Sequence, residues 1–398
     1  MKSDWIAYVG PFNFPWGQAG SRRVYGNAMS LVDAGYDVIV ASGDAPSALR
    51  TFPSTRNEGA TLTYLGVGEI PLSGGYLGKL WQHLINCGVR TVNWLSTQPV
   101  KPKYVVIYGG LAAFSWHVYR WCRQNHVPVI ADVVEWYDPA QMLGGRFGPF
   151  YASANIAFHG MYPRFDGVIA ISNFLASHFG PAVPVITVPP TVELTGAMPT
   201  ALERDHVLRL VYAGVPGKKD LLGEVISAIS MVSGQINVHL QIIGPSPGEV
   251  LALSGLRALP PAISVLGRLP QEAVKAELIA ADFSVLVRES RRFTNAGFPT
   301  KFVESMAAST PVIANITSDL GNYLVDAING FVVQRPTAES IAETIRRAGA
   351  LSAGEKHQMK VKAYQTATEE FTYQRFSEDF KIFLSRVDAH HGHKQGAR

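Results

Sequence analysis

Lys301 and Glu304 stand three residues apart in the stretch FPTKFVESMAAST. At helical spacing they share one face, a cation beside a carboxylate. A phosphate with a sugar hydroxyl next to it would use both. The apolar run FSVLV (283–287) before them reads as a buried strand that stops at Arg288. A polar loop follows, with Asn295, Gly297 and Phe298 at its end, then the amphipathic segment and a second apolar run, PVIAN. Strand, loop, helix, strand is a unit whose helix N-terminus and strand carboxyl end open on one crevice, where anions bind. Pro299 suits the first helical position, because its missing N–H would be unpaired there anyway. Arg288, Asn295, Gly297, Phe298 and Glu304 are therefore candidate binding residues, and Lys301 a candidate catalytic cation.

Three other places could carry chemistry. GVPGKKD (214–220) follows an apolar run and precedes a helical pattern, but GxxxxGK[ST] is not met, which excludes a P-loop triphosphatase. Lys218 and Lys219 there read either as point charges for a diphosphate or as solvated surface lysines. In the first turn, PFNFPWGQAGSRR, there is no GxGxxG, so a dinucleotide site is poorly supported. Gly17 and Gly20 still offer a backbone loop with free N–H groups before a helix starting near Ser21. Arg22 and Arg23 either reinforce an anion site or form a solvated basic turn. PVIADVVEWYDPAQ (128–141) puts Asp132, Glu135 and Asp138 at a strand end. Such carboxylates orient hydroxyls or act as a base, or they cap the next helix; Glu135 is the candidate of the three.

The elements that must hold these residues alternate along the whole chain. Short apolar runs, 5–10, 37–42, 104–109, 128–132, 167–171 and 184–188 in the first half, are separated by helix-length amphipathic segments. The second half repeats the pattern with runs at 208–214, 238–244, 263–267, 282–287, 311–314 and 330–333. This is the signature of parallel α/β sheets, here two doubly wound domains. The length of 398 residues fits two cores better than one. The best linker is VPPTVELTGAMPTALERD (188–205), with three prolines and little periodicity. The domains are expected over 1–190 and 191–365. A C-terminal helix over 366–386 should pack back toward the first domain, and 387–398 reads as an unstructured tail.

Composition excludes several classes. With 47% hydrophobic and 17% charged residues the chain is globular, not disordered. The two cysteines have no metal-ligand spacing and read as reduced, buried thiols of a cytoplasmic protein. A formal charge of +4 is too small to argue for nucleic acid but suits a phosphate-bearing ligand or an anionic membrane surface. No signal peptide or spanning helix is read from the sequence. The segment 74–95 is aromatic-rich and basic, with Lys79 and Arg90 but no acidic residue. It reads either as a face dipping into an anionic bilayer or as a helix buried on the sheet.

Taken in order, VYGNAMSLVDAGYDVIVAS, FDGVIAISNFLASHF, LVYAG, LQIIG, ISVLGRL, FPTKFVESMAASTPVIAN and LVDAINGFVV resemble the retaining family-4 glycosyltransferases over nearly the whole chain. The last two are the most specific and look closest to a subgroup acting in bacterial surface-polysaccharide assembly. The resemblance implies the GT-B fold, two Rossmann-like domains facing each other across a cleft. It also implies a nucleotide-diphosphate sugar as donor and a glycan or lipid-linked glycan as acceptor, with no metal and no bound cofactor. The family places two glutamates with seven residues between them; here the second is Glu304, which implies ribose binding, while the first is Ala296. Asn295 or Glu289 could fill the vacant role. Lys219 matches the family lysine, which implies a catalytic role in offsetting the charge of the departing diphosphate; Lys301 matches the PTK variant of the subgroup, and Ser309 replaces the usual glycine before TPV. Because of Ala296, a catalytically inactive binding subunit stays open as an alternative, and so does a sugar-nucleotide epimerase.

Overall fold

A computed structural model describes residues 4–16, 19–52, 59–70, 76–109, 111–194, 207–217 and 219–396. The chain divides into two compact units, one made of Met1–Thr191 with Tyr373–Arg398, the other of Val192–Thr372. The second unit therefore extends a few residues past the expected boundary at 365. Among the described residues no helix is long and apolar enough to cross a membrane.

The first unit is built on eight strands: β1 Trp5–Val9, β2 Asp37–Ser42, β3 Arg50–Phe52, β4 Leu62–Gly66, β5 Tyr104–Tyr108, β6 Val129–Val133, β7 Gly167–Ala170 and β8 Val185–Thr187. Their order is β3-β4-β2-β1-β5-β6-β7-β8. Every pairing is parallel except β3 with β4. The central strands are apolar on both faces because helices cover both sides of such a sheet. Ile6, Tyr8, Val38, Val40, Val106 and Ile130 pack with Val24, Ala28 and Leu31 of the helix Ala19–Asp33. The sequence reading finds six of these strands and misses β3 and β4. RTF is a short edge strand with two exposed residues, and LTYLG is half-buried in its middle, so neither has a continuous apolar run.

The same core takes in Phe380, Phe383, Leu384 and Val387 from the helix Ser377–Gly396. A Cβ on Gly167 would stand 2.7 Å from Val387 Cγ2 and 2.8 Å from Phe383 Cζ, so the helix lies directly on β7. The unstructured tail expected from 387 is corrected: the helix runs on to Gly396. His391 is buried with Nδ1 3.2 Å from Asp166 Oδ1, and Lys394 donates to the Phe165 carbonyl at 2.7 Å. These late contacts involve residues far apart in sequence, so a local reading sees only a polar, histidine-rich end.

The second unit is a six-stranded parallel sheet: β9 Leu208–Ala213, β10 Val238–Ile243, β11 Ile263–Gly267, β12 Phe283–Leu286, β13 Val312–Ala314 and β14 Gly330–Val332. The order β11-β10-β9-β12-β13-β14 places β9 at the centre, with the chain turning to one side for β10 and to the other for β12. That reversal leaves a crevice at the carboxyl ends of β9 and β12, the place where such sheets bind ligands. All six expected strands of this half are present.

Candidate functional site

The β9–β12 reversal gathers four side chains. Tyr212 lies near the end of β9, Arg288 just beyond β12, and Lys301 in the first turn of the helix Thr300–Ala307. Asp220 joins them because residues 219–221 lie antiparallel to 287–289. Asp220 and Arg288 form a bridge, Leu221 donates to the Val287 carbonyl, and Glu289 donates to the Lys219 carbonyl. Lys301 Nζ donates to Asp220 Oδ2 at 2.5 Å and to the Tyr212 hydroxyl at 2.9 Å. The Tyr212 hydroxyl donates to the same carboxylate oxygen at 2.7 Å, and Arg288 Nε stands 3.4 Å from the other. Two cations on one carboxylate leave a net charge of +1, held in place rather than free to swing.

Burial shapes the electrostatics. The Asp220 side chain is 8% exposed and that of Arg288 9%, while Lys301 keeps 26%. Lys301 is thus the member of the group best placed to meet a ligand. Burial lowers its pKa from the ordinary lysine value, against the opposing pull of Asp220, and Arg288 lowers it further. Tyr212 is shifted the other way: burial and then the Asp220 charge hold its hydroxyl protonated. The lysine also stands 4.4 Å from the centre of the Tyr212 ring, a cation–π contact.

Glycine at 214 is required for this arrangement. Its φ of +128° disfavours any side chain, and a Cβ there would meet Lys301 Cε at 2.4 Å. Asn315, at the end of PVIAN, fixes the other side. Its Oδ1 accepts from Arg288 N at 2.8 Å and its Nδ2 donates to the Arg288 carbonyl at 2.9 Å. Sequence reasoning missed Asp220, Tyr212 and Asn315. Asp220 directly follows Lys219, but nothing local tells that this segment pairs with the chain beyond β12.

The remaining expected residues of this unit fall as follows. Glu304 is half-buried, one turn after Lys301, and its charge acts on that lysine. Lys219 is half-buried with Nζ 5.6 Å from the Phe293 ring. Lys218 lies outside the described residues. Asn295 Oδ1 accepts from Ser318 N at 3.1 Å, so its carboxamide ties the short helix Arg292–Ala296 to the loop after β13. Glu289 is paired with Arg291 at 2.6 Å. Gly297 is buried in an extended conformation, with φ −84° and ψ 175°. The Phe298 ring is packed among Phe302, Tyr323 and Phe371, which leaves only its main chain to meet a ligand. Pro299 is the residue before the helix rather than its first member. Ala296 is fully buried.

In the first unit the expected anion site is corrected at Arg23. Its guanidinium is 4% exposed and grips Asp132, with Nε 2.8 Å and Nη2 2.7 Å from Oδ1, while Nη1 donates to the Val188 carbonyl. The Tyr8 hydroxyl and Asn27 amide complete the shell of Asp132. A buried charge needs such a partner, and this pair satisfies one another. Asp138 accepts from Ala140 N and caps a short turn. Gly20 lies in the first turn of the helix Ala19–Asp33, where a Cβ would meet the Tyr108 hydroxyl at 2.7 Å. Gly17 is outside the described residues. Glu135 is half-buried and its charge is felt by Tyr108 and Tyr137.

Comparison with known proteins bears on the second unit first. The family model for "Glycosyl transferases group 1" matches residues 202–366. No curated protein matches the sequence. Among solved structures, the chain is similar to sucrose-phosphate synthase from Thermosynechococcus elongatus, with a TM-score of 0.73 at 14% identity over 97% of this chain and 99% of that one. It is also similar to Anabaena HepE in complex with UDP and glucose, with a TM-score of 0.63 at 13% identity over 96% and 99%. WaaG, a glycosyltransferase involved in lipopolysaccharide biosynthesis, gives a TM-score of 0.60 at 16% identity over 95% and 99%. Residues 202–366 thus match the glycosyltransferase group 1 family model, and the chain, with its two Rossmann-like units, has the GT-B fold.

Proposed function

We propose that this protein moves a sugar, with retention, from a nucleotide-diphosphate donor to a glycan or lipid-linked acceptor in surface-polysaccharide assembly. The observation that carries the proposal is the net-cationic cluster of Lys301, Arg288 and Asp220 at the β9–β12 reversal of a glycosyltransferase group 1 domain. The PTK variant around Lys301 supports the polysaccharide role. That WaaG acts in lipopolysaccharide biosynthesis, and that HepE is seen with UDP and glucose, are facts about those proteins that agree with it.

The donor diphosphate lies against the exposed side of Lys301, with Lys219 beside it and the main chain at Gly297 and Phe298 as further donors. Glu304 accepts from ribose hydroxyls. As the bond between the sugar carbon and the diphosphate oxygen breaks, negative charge grows on that oxygen. Cations already held in position offset the charge without reorganising. Asp220 is a positioning residue: it holds Lys301 and Arg288 where the leaving group forms. The acceptor is assigned to the first unit, with Glu135 as the carboxylate that orients its hydroxyl. The nucleotide sugar is a substrate in this scheme, and protein cations carry its charge.

Ala296 favours a second reading, an inactive binding subunit that keeps the nucleotide site. Product analysis separates the readings. The protein is incubated with nucleotide sugars and glycan or lipid-linked acceptors, and both pools are resolved chromatographically. A glycosylated acceptor with release of nucleoside diphosphate is the expected result. Nucleotide binding without product would establish the inactive subunit, and an isomerised sugar nucleotide an epimerase.

A further inference from the structure

Two long stretches of the first unit lack any acidic residue: 70–131 and 139–165 contain no Asp or Glu but eight Lys and Arg. The fold brings parts of both together. Residues Gln82–Asn86 form a π-turn after the helix Tyr76–Trp81, and the helices Ala112–Asn125 and Pro149–Asn155 pack against it. His117 Nε2 lies 2.9 Å from the Ile85 carbonyl, Ala112 N donates to Ser153 Oγ, and the His83 and Phe150 rings are 6.1 Å apart. Of the segment 74–95, the described residues 76–95 are therefore neither wholly buried nor one long helix.

Both of these neighbouring stretches carry exposed apolar side chains. Trp81 is 63% exposed and Ile85 51%. Phe147, at the end of the short turn Gly145–Phe147, is 97% exposed, and Leu143 beside it 64%. Gly144 and Gly145 both have positive φ, the backbone bend that projects this turn outward. Exposed cations flank both aromatics: Lys79 two residues before Trp81, and Arg146 next to Phe147.

The geometry points to this face as a docking surface for an anionic lipid bilayer. Protruding aromatics among cations suit a surface in which rings enter the headgroup region while ammonium and guanidinium groups meet lipid phosphates. A symmetric contact with a second copy would set the same cations against one another across the axis. Phe147 stands clear of its surroundings, so its ring can enter a headgroup layer without displacing any neighbour. This surface belongs to the first unit and the cationic cluster to the second, so it can be tested without a nucleotide sugar.

The test is flotation of the full chain with vesicles of phosphatidylcholine and of an equal mixture of phosphatidylcholine and phosphatidylglycerol. Binding is expected only to the mixed vesicles, weakening as salt rises. The double variant Trp81→Ser, Phe147→Ser should lose roughly tenfold or more in partitioning, the size expected for losing buried aromatic surface. The double variant Lys79→Glu, Arg146→Glu should lose the preference for the anionic lipid. All four side chains are exposed, so each variant should melt like the parent, and circular dichroism checks that it does. Absence of binding to mixed vesicles, or equal binding by the aromatic variant, would overturn the proposal. So would a concentration-dependent dimer in sedimentation equilibrium that Phe147→Ser abolishes.

Discussion

Lys301 Nζ and Asp220 Oδ2 are 2.5 Å apart, although 81 residues separate them in the chain. The cation that the helix offers to a ligand is held from below by a carboxylate that arrives from beyond β9. A lysine with 26% of its side chain exposed would otherwise sample many rotamers. Tied to Asp220 and to the Tyr212 hydroxyl, it loses that freedom and keeps one N–H for a ligand.

Asp220→Asn should therefore weaken donor binding even though it removes a negative charge from an anion site. Simple charge counting predicts tighter binding. Loss of a charge-assisted hydrogen bond, about 1.5–3 kcal/mol, predicts roughly ten- to a hundredfold weaker binding instead. Titration calorimetry with the cognate nucleoside diphosphate decides between them, and tighter binding would show that Asp220 does not position Lys301.

The lowered pKa of Lys301 gives a pH signature. The ammonium is present below its folded pKa and lost as pH rises through it. Diphosphate affinity should therefore fall on the alkaline side earlier than the ordinary lysine value of 10.5 would allow. Lys301→Arg keeps its charge throughout this range and should flatten that limb, whatever its affinity at neutral pH. The same shift acts on stability with the opposite sign. Between the folded and unfolded pKa values the unfolded chain holds more protons, so this group's contribution rises with pH. Identical alkaline limbs for the parent and Lys301→Arg would remove Lys301 from the diphosphate contact.

Arg23→Ala should leave the Asp132 carboxylate buried without its partner. Breaking such a pair costs about 3–5 kcal/mol, read as a fall in the urea midpoint. Because Arg23 spends its guanidinium on Asp132 and Val188, the variant's remaining folded fraction should bind nucleoside diphosphate as the parent does. Reduced affinity at unchanged stability would restore Arg23 to the anion site.

Ser309 has φ +58°, just past the end of the helix Thr300–Ala307, where a left-handed residue ends many helices. Glycine adopts this conformation without strain, so Ser309→Gly should stabilise the fold by about 1 kcal/mol, less the entropy that glycine adds to the unfolded chain. A lower urea midpoint would mean that the Ser309 side chain contributes more than its backbone costs.

The strand–loop–helix–strand unit around Lys301 was legible because its apolar runs are continuous and its punctuation is local. β3 and β4 were not, since β3 is an edge strand of three residues and β4 is half-buried in its middle, so neither leaves a continuous run to read. The same contrast holds within the site. Lys301 and Arg288 are marked by their place after strands. Asp220, Tyr212 and Asn315 matter through long-range pairing, which no spacing rule records. Arg23 shows the converse: a basic first turn reads as an anion site until the fold reveals Asp132 of β6 beneath it. His391 and Lys394 likewise find Asp166 and the Phe165 carbonyl only through packing of the last helix on β7.

Lys301 and Glu304 are expected to meet a nucleoside diphosphate. A thermal-shift panel of UDP, GDP, ADP and CMP nucleotides with their sugars, on the parent and on Glu304→Ala, Lys219→Ala and Lys301→Ala, tests this most directly. Selective stabilisation by one diphosphate, lost in each variant while each still melts cooperatively, is the predicted result. Equal stabilisation of parent and variants, or none in the parent, would contradict it.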